Sequence, residues 1–123
     1  GIGKLLVSGI KSEYPDFFVT AVGANSIATS AMLKAGADAA ATGENAVCVG
    51  CRKADVIAGP VGIVIADALL GEITPKMAAA IGQSDAKRVL VPVNHCDNIV
   101  VGVGDIPMAK FVQSAVKEIG KGS

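Results

Sequence analysis

Five polar or reactive side chains follow one another in Asn94–Asn98, and this cluster is the first candidate for chemistry. It comes directly after Val89–Val93, an apolar run that is typical of a strand. His95 is the only histidine and titrates near neutral pH, so it could act as a general acid or base with Asp97 orienting it. Asn94 would contact the bound ligand. The alternative is an ordinary turn in which Asn and Asp bond their own backbone and the histidine faces solvent.

The glycine-flanked start of the chain, Gly1-Ile2-Gly3-Lys4, is a second candidate, because a helical pattern begins there. Amides at a helix N-terminus bind phosphate through unpaired N–H groups and the positive end of the helix dipole, and Lys4 adds a charge. We therefore expect Gly1, Gly3 and Lys4 to bind a nucleotide or another phosphate-containing ligand. The alternative is a tight strand-to-helix turn that packs without any ligand.

A dinucleotide site would also need an acid about twenty residues further on, to hold the ribose hydroxyls. The corresponding segment Val22–Asn25 contains no acid. Asn25 or Ser26 would offer a weaker hydrogen bond, and a mononucleotide or a phosphorylated metabolite is equally open.

The stretch Asp55–Gly71 predicts a third part of the same site. Val56–Ala58 has the continuous apolar character of a strand covered on both faces, and Gly59 and Gly62 free the backbone at its carboxyl end. In open α/β sheets, ligands bind beyond the carboxyl ends of the strands. An apolar helix is expected to follow. Asp67 within it is paired as a cap or in a salt bridge, exposed on one stripe of the helix, or a second catalytic carboxylate.

Cys48 and Cys51 form a C-x-x-C pair, and Cys96 beside His95 could complete four zinc ligands. Adjacent residues seldom both reach one metal, and on a helix Cys48 and Cys51 would share a buried face as small apolar groups. We therefore assign no metal site. Three cysteines cannot all pair within one chain, and no secretory leader is visible, which indicates the cytoplasm.

The composition limits the partners of this chain. Its 123 residues correspond to one domain, 1–123, with a formal charge of zero and no basic patch for nucleic acid. No uncharged run is of the kind that spans a membrane. Apolar residues make up 51% of the chain although aromatic residues are few, and apolar surface that a small domain cannot bury commonly forms subunit contacts. We expect a homo-oligomer that binds a small-molecule phosphate ligand.

Strand and helix patterns alternate along most of the chain, which predicts an α/β fold, a three-layer Rossmann-like sandwich with a mostly parallel sheet centred on Asp55–Gly71. A Gly-x-Gly beside a helix start normally follows a buried strand, so we expect an N-terminal strand before Gly1. The predicted strands are 17–22, 38–42, 56–58, 89–93 and 99–103. The predicted helices are a first one that ends before Pro15, then 26–34, 44–53, the apolar run 61–70, 75–81, and a last helix capped by Asp105 that ends at Gly120.

Six strings of the sequence are long enough to be specific: Asn25–Asp38, Thr42–Asn45, Arg52–Asp55, Leu69–Pro75, Gly82–Arg88 and Val91–Cys96. They resemble an uncharacterised bacterial family, filed as a domain of unknown function. This resemblance implies a Rossmann-like fold with a short apolar strand and a Gly-Gly-Gly-Ile-Gly-Lys turn, and Gly1–Lys4 match the end of that turn. It implies no activity, cofactor or catalytic residue.

Two functions are consistent with these patterns. The first is a small cytoplasmic protein that binds a nucleotide or phosphorylated metabolite at the carboxyl ends of the strands, with or without catalysis. The second is a non-catalytic oligomeric sensor or scaffold module whose glycine turns are structural.

Overall fold

The structure is a computed structural model, and it describes residues 1–93 and 98–122. These ranges form five α-helices, one short 3-10 helix and four strands. In chain order they are α1 (Ile2–Glu13), β1 (Thr20–Gly23), α2 (Ser26–Lys34), β2 (Ala39–Thr42), α3 (Glu44–Lys53), β3 (Val56–Pro60), the 3-10 helix (Val61–Val64), α4 (Pro75–Gln83), β4 (Lys87–Val91) and α5 (Met108–Gly120).

The four strands pair two by two, and both pairs are parallel. β1 lies beside β2 with Thr20 opposite Ala39, and β3 lies beside β4 with Val56 opposite Lys87. The prediction of an α/β protein with parallel strands is confirmed. Within the described residues, however, there are two two-stranded sheets where one sheet centred on Asp55–Gly71 was predicted.

The helices form two groups that bury different parts of the core. α1 contacts both α2 and α5, whereas α3 contacts α4. The first group covers a cluster from α1, β4 and α5, and the second covers a smaller cluster around α4. Buried members of the first cluster are Leu6, Ile10, Val89, Val91, Val112, Ala115, Val116 and Ile119; those of the second are Ile73, Met77 and Ala78.

Local signals in the sequence account for the starts of several helices. Asn25 caps α2, since its side chain accepts a hydrogen bond from the backbone of Ala28. Thr74 caps α4, and Pro75 occupies the first turn, where no intrahelical N–H is needed. α3 has Glu44 in its first turn and basic residues in its last, which matches the helix dipole. The predicted starts of these three helices are confirmed.

The predicted helix over 61–70 is wrong. Only Val61–Val64 is helical, as a single 3-10 turn, and the chain then turns repeatedly. Asp67, Leu69 and Leu70 have φ values of 65°, 56° and 57°, in the left-handed region that a right-handed helix excludes. Apart from Asp67 the run is apolar, so it has no polar face, and without a helical period its composition did not determine its conformation.

Two predictions near the carboxyl end are also wrong. Residues 99–103 form no strand, and Gly102 adopts a φ of 88°, which ends any extended run. Asp105 does not cap α5, which begins at Met108 with Pro107 at the N-cap. The ring of Pro107 disfavours the helical region for the preceding residue, so a helix capped by Asp105, which would include Ile106, is disfavoured.

No helix in the described ranges combines the length and the apolar character that crossing a membrane requires.

Candidate functional site

The candidate site lies where the parallel strands end. β1 ends at Gly23 and leads through Asn25 into α2, and β2 ends at Thr42 and leads through Gly43 into α3. Because the carboxyl ends of paired parallel strands share one edge of a sheet, these two turns are neighbours. Gly59 lies near the end of β3 and Gly62 lies in the 3-10 turn that follows, and the loop after this turn returns to α2 through Glu72.

Asn25 uses both polar groups of its side chain. Its Oδ1 accepts a hydrogen bond from the Ala28 N–H at 2.9 Å, and its Nδ2 donates to Glu72 Oε2 at 2.9 Å. The second bond ties the start of α2 to the loop that precedes α4. A ligand that bound the Asn25 amide would have to replace Glu72, and the predicted binding role of Asn25 stays a prediction.

Hydroxyl groups form two further links at this edge. The Thr29 hydroxyl lies 3.0 Å from the Asn25 carbonyl oxygen and 2.7 Å from the Thr42 hydroxyl, which joins α2 to the end of β2. The Thr74 hydroxyl donates to Glu44 Oε2 at 2.5 Å, which joins the start of α4 to the start of α3. These links were not predicted, because helix-start signals locate a cap but not its distant partner.

Lys4 lies beside α2, on the first turn of α1. No side chain caps this turn, whose N-cap is the exposed Gly1. Lys4 lines a cavity of about 560 Å³, and no carboxylate is among the residues that line it. Its other lining residues are Ser26, Ile27, Ser30, Ala31 and Lys34. Two ammonium groups and two hydroxyl groups therefore border one concave surface, a combination that suits an anion. Ser26 was a candidate for a weaker hydrogen bond, whereas Ser30 and Lys34 were not predicted, although a spacing of four residues on α2 places all three on one helix face.

Three of the predicted glycines have different surroundings. Gly1 is open to solvent, whereas a Cβ on Gly3 would lie 2.7 Å from Met32 Sδ, so Gly3 lets α1 approach α2. A Cβ on Gly59 would lie 2.9 Å from Ile63 Cδ1, so this glycine accommodates the 3-10 turn that follows it.

The two other predicted residues after β3 differ in exposure. Gly62 is buried inside the 3-10 turn. Asp67 is exposed, and its N–H donates to the carbonyl oxygen of Ile73 at 2.7 Å. Neither residue lines the Lys4 cavity.

The predicted catalytic segment lies outside the described residues. Asn94, His95, Cys96 and Asp97 follow β4, which ends at Val91. Their assigned roles, with His95 as acid or base and Asp97 as its partner, stay predictions.

Cys48 and Cys51 are half-buried free thiols on α3. Both line a second cavity, of about 610 Å³, together with Arg52, Asp55 and Ser84 near the beginning of β3. Burial raises the pKa of the Cys51 thiol, and the neighbouring Cys48 raises it further. A raised pKa lowers the thiolate fraction that redox chemistry needs.

In residues 1–93 and 98–122, no three His, Cys, Asp or Glu side chains are grouped so that they could hold a metal ion.

Comparison with known proteins identifies a family. Residues 1–122 match the family model described as Domain of unknown function (DUF3842), in agreement with the resemblance seen in the sequence. No match was found among curated proteins or among solved structures.

Proposed function

The chain belongs to this family of unknown function, and we propose that the protein binds a small phosphate-bearing ligand, a nucleotide or phosphorylated metabolite, beside the amino end of α1 and along α2. The observation that carries this function is the cavity bordered by Lys4, Lys34, Ser26 and Ser30 without any carboxylate. An anion there would meet two positive charges and two hydroxyl donors.

The uncapped first turn of α1 adds to this attraction. The first four N–H groups of a helix have no intrahelical partner, and the dipole makes that end positive. Gly1 leaves the turn open because it carries no side chain. Lys4 projects from the same turn, so charge and backbone donors favour the same anionic group.

The remaining predicted residues would act around that group. The Asn25 amide would become available to the ligand once its hydrogen bond to Glu72 breaks. Gly59, Gly62 and Asn94 would border the non-phosphate part of the ligand. His95 would serve as general acid or base, with Asp97 or Asp67 as the carboxylate. Phosphate binding does not depend on these catalytic roles.

We also propose that the two sheets are halves of one Rossmann-like sheet in a three-layer sandwich. The contacts of α1 with α2 and with α5, and of α3 with α4, support two helical layers on opposite faces. In such a fold, the strand order reverses between β1 and β3, and ligands bind at that reversal.

Thermal unfolding with ATP, AMP and inorganic pyrophosphate tests the binding function. A ligand at a hundredfold excess over its Kd should stabilise the protein by about 2.7 kcal/mol, an upward shift on the order of 10 °C. Lys4→Gln should remove most of this shift. Lys53→Gln is the matched control, because it deletes the same charge at an exposed position on α3 outside the cavity. If no phosphate compound shifts the midpoint, or if both variants respond like the wild type, the function is wrong.

A different observation favours the alternative of an oligomeric sensor or scaffold. Ile99 and Val101 are 88% and 91% exposed, and Ile106 and Met108 nearby are also exposed. Exposed apolar residues close together mark interaction surfaces, and a second copy of the chain is the simplest partner. Sedimentation analysis of the wild type and of Val101→Ser tests it: a dimer that the substitution dissociates supports a homo-oligomer, and a wild-type monomer contradicts it.

A cytoplasmic location is part of the same proposal. Cys48 and Cys51 are unpaired thiols, and a reducing compartment preserves such groups.

A further inference from the structure

We propose that Cys48 and Cys51 form a two-thiolate binding site for a soft monovalent metal ion of the copper(I) kind. Both thiols are free and half-buried, and both line one cavity of about 610 Å³. Among the described residues, none lines both this cavity and the cavity beside Lys4. The metal site and the proposed phosphate site can therefore fail separately.

The spacing of the two cysteines favours a bridging ion over a disulfide. They lie three residues apart on α3, so their side chains leave the same face of the helix. Side chains at this spacing have Cβ atoms about 5–6 Å apart, whereas a disulfide needs Cβ atoms about 3.5–4.5 Å apart. A disulfide would thus require the helix to unwind locally. An ion at about 2.3 Å from each sulfur, the length of a zinc–thiolate bond, allows the two sulfurs to lie up to about 4.6 Å apart.

A hydrogen bond from Ser84 holds the end of α3 in its helical form. The carbonyl oxygen of Cys51 lies in the last turn of α3, where carbonyl groups lack partners inside the helix. Ser84 Oγ donates to this oxygen at 2.7 Å and accepts a hydrogen bond from the Ala86 N–H at 3.1 Å. Cys51 is therefore anchored to the turn between α4 and β4, and unwinding toward a disulfide would disturb this anchor.

The number and kind of donors select the ion. Thiolates are soft ligands, which favour copper(I), zinc and iron–sulfur clusters over hard cations. Structural zinc takes four ligands, but no three His, Cys, Asp or Glu side chains in the part of the chain that the structure describes are grouped to hold a metal. Copper(I) is satisfied by two thiolates. The pair on α3 therefore fits copper(I) better than zinc.

The charges around the cavity are compatible with this ion. The carboxylates of Asp55 and Asp85 line the same cavity and attract a cation as it approaches. Each thiol releases its proton to solvent when the ion binds, so the ion with its two thiolates carries one negative charge. The guanidinium of Arg52, which also lines the cavity, offsets that charge.

Competition with the coloured copper(I)–bicinchoninate complex tests the inference. Under anaerobic conditions with ascorbate as reductant, the wild type should remove one copper(I) ion per chain from the complex. Cys48→Ser and Cys51→Ser should each weaken the affinity more than about 100-fold, because loss of a ligand exceeds the roughly 10–100-fold effect of losing a residue that only orients a ligand. Cys96→Ser is the matched control, since it removes the third thiol of the chain and should bind copper(I) like the wild type.

Thiol protection in the wild type provides a second measurement, which does not depend on the folding of the variants. One equivalent of copper(I) should slow the alkylation of Cys48 and Cys51 by N-ethylmaleimide at least about tenfold, because a metal-bound thiolate is not free to attack. The rate for Cys96 should not change. Peptide mass spectrometry assigns the rates to the individual cysteines.

Three kinds of result would overturn the inference. The first is a wild type that leaves copper(I) with bicinchoninate, or a Cys48→Ser or Cys51→Ser variant that folds and still binds the ion as tightly as the wild type. The second is loss of binding in Cys96→Ser, or equal protection of Cys96, because the site would then need a third thiol. The third is a reduced wild type that retains one zinc ion per chain after dialysis, because zinc requires more ligands than this pair supplies.

Discussion

Replacing Gly23 with alanine tests how tightly the turn from β1 into α2 is packed. A Cβ at this position would clash with the Thr29 hydroxyl, and it would lie 2.6 Å from the Thr29 backbone nitrogen and 2.9 Å from the Asn25 carbonyl oxygen. The last two are backbone atoms that cannot rotate away. They also form the first hydrogen bond of α2, at 3.1 Å, so alanine must push the whole first turn away from β1.

The expected loss of stability combines two effects. Overpacking by one methyl group costs about 1–3 kcal/mol, and weakening the Asn25 cap costs about 1 kcal/mol. We expect Gly23→Ala to lower the free energy of unfolding by about 2–4 kcal/mol. Gly50→Ala is the matched control, since Gly50 lies inside α3 with open space around it. Alanine is favoured there by about 0.5–1 kcal/mol, so the two substitutions should have opposite signs.

Urea unfolding followed by far-ultraviolet circular dichroism measures both effects, because the chain has no tryptophan to serve as a fluorescent probe. With a slope of about 1–3 kcal/mol per M, Gly23→Ala should lower the midpoint by roughly 1–2 M. A Gly23→Ala midpoint at or above that of the wild type, with an unchanged slope, would show that the turn has room for a side chain. An equal loss in Gly50→Ala would show that the clash is not the cause.

Three further outcomes are expected. The pKa of Asp38 is lowered, first by the hydrogen bond from the Val19 N–H and then by Lys11. The contribution of Asp38 to the free energy of unfolding is therefore complete above the ordinary carboxyl range and is lost as pH falls below roughly 4. Acid unfolding of Asp38→Asn should lack that contribution. Val91 is only 2% exposed, so Val91→Ala should cost about 1.5–3 kcal/mol in urea unfolding, and a cost below about 0.5 kcal/mol would contradict its place in the core. Thr74→Ala should cost about 1–2 kcal/mol through loss of the α4 cap, whereas Thr74→Ser should retain most of it.

Sequence reasoning succeeded where the determinant is local. Asn25 and Thr74 were identified as helix starts because a capping side chain and its N–H partner lie within three residues of each other. It failed for 61–70, where the apolar run contains Gly62 and ends at Gly71 but has no polar face to set a period. Such a run is compatible with helix, strand or turns, and tertiary packing of Ile63 and Leu69 around α4 decides among them.

The candidate site was predicted only in part for a related reason. Parallel strands bring their carboxyl ends together, so Asn25 and the turn after β3 could be assigned to one edge from the alternation of strands and helices. The links made by Glu72 and Glu44 join residues 47 and 30 positions apart. Their geometry depends on where a loop returns, which no spacing in the sequence encodes.

The loop before α4 holds the start of α2 in place through the hydrogen bond that Asn25 donates to Glu72. Three of its non-glycine residues have left-handed backbones, each of which costs about 1–2 kcal/mol. Hydrogen bonds from the Asp67 N–H to the Ile73 carbonyl oxygen at 2.7 Å, and from the Ile73 N–H to the Ala68 carbonyl oxygen at 3.2 Å, help to hold that conformation. Burial of the Ile73 side chain anchors the same segment. Glu72 is thereby kept at the Asn25 amide, and an incoming phosphate would compete with a carboxylate whose position is fixed in advance. A phosphate bound at Lys4 alone would leave the hydrogen bond between Asn25 and Glu72 intact, whereas a ligand that also bound Asn25 would have to break it.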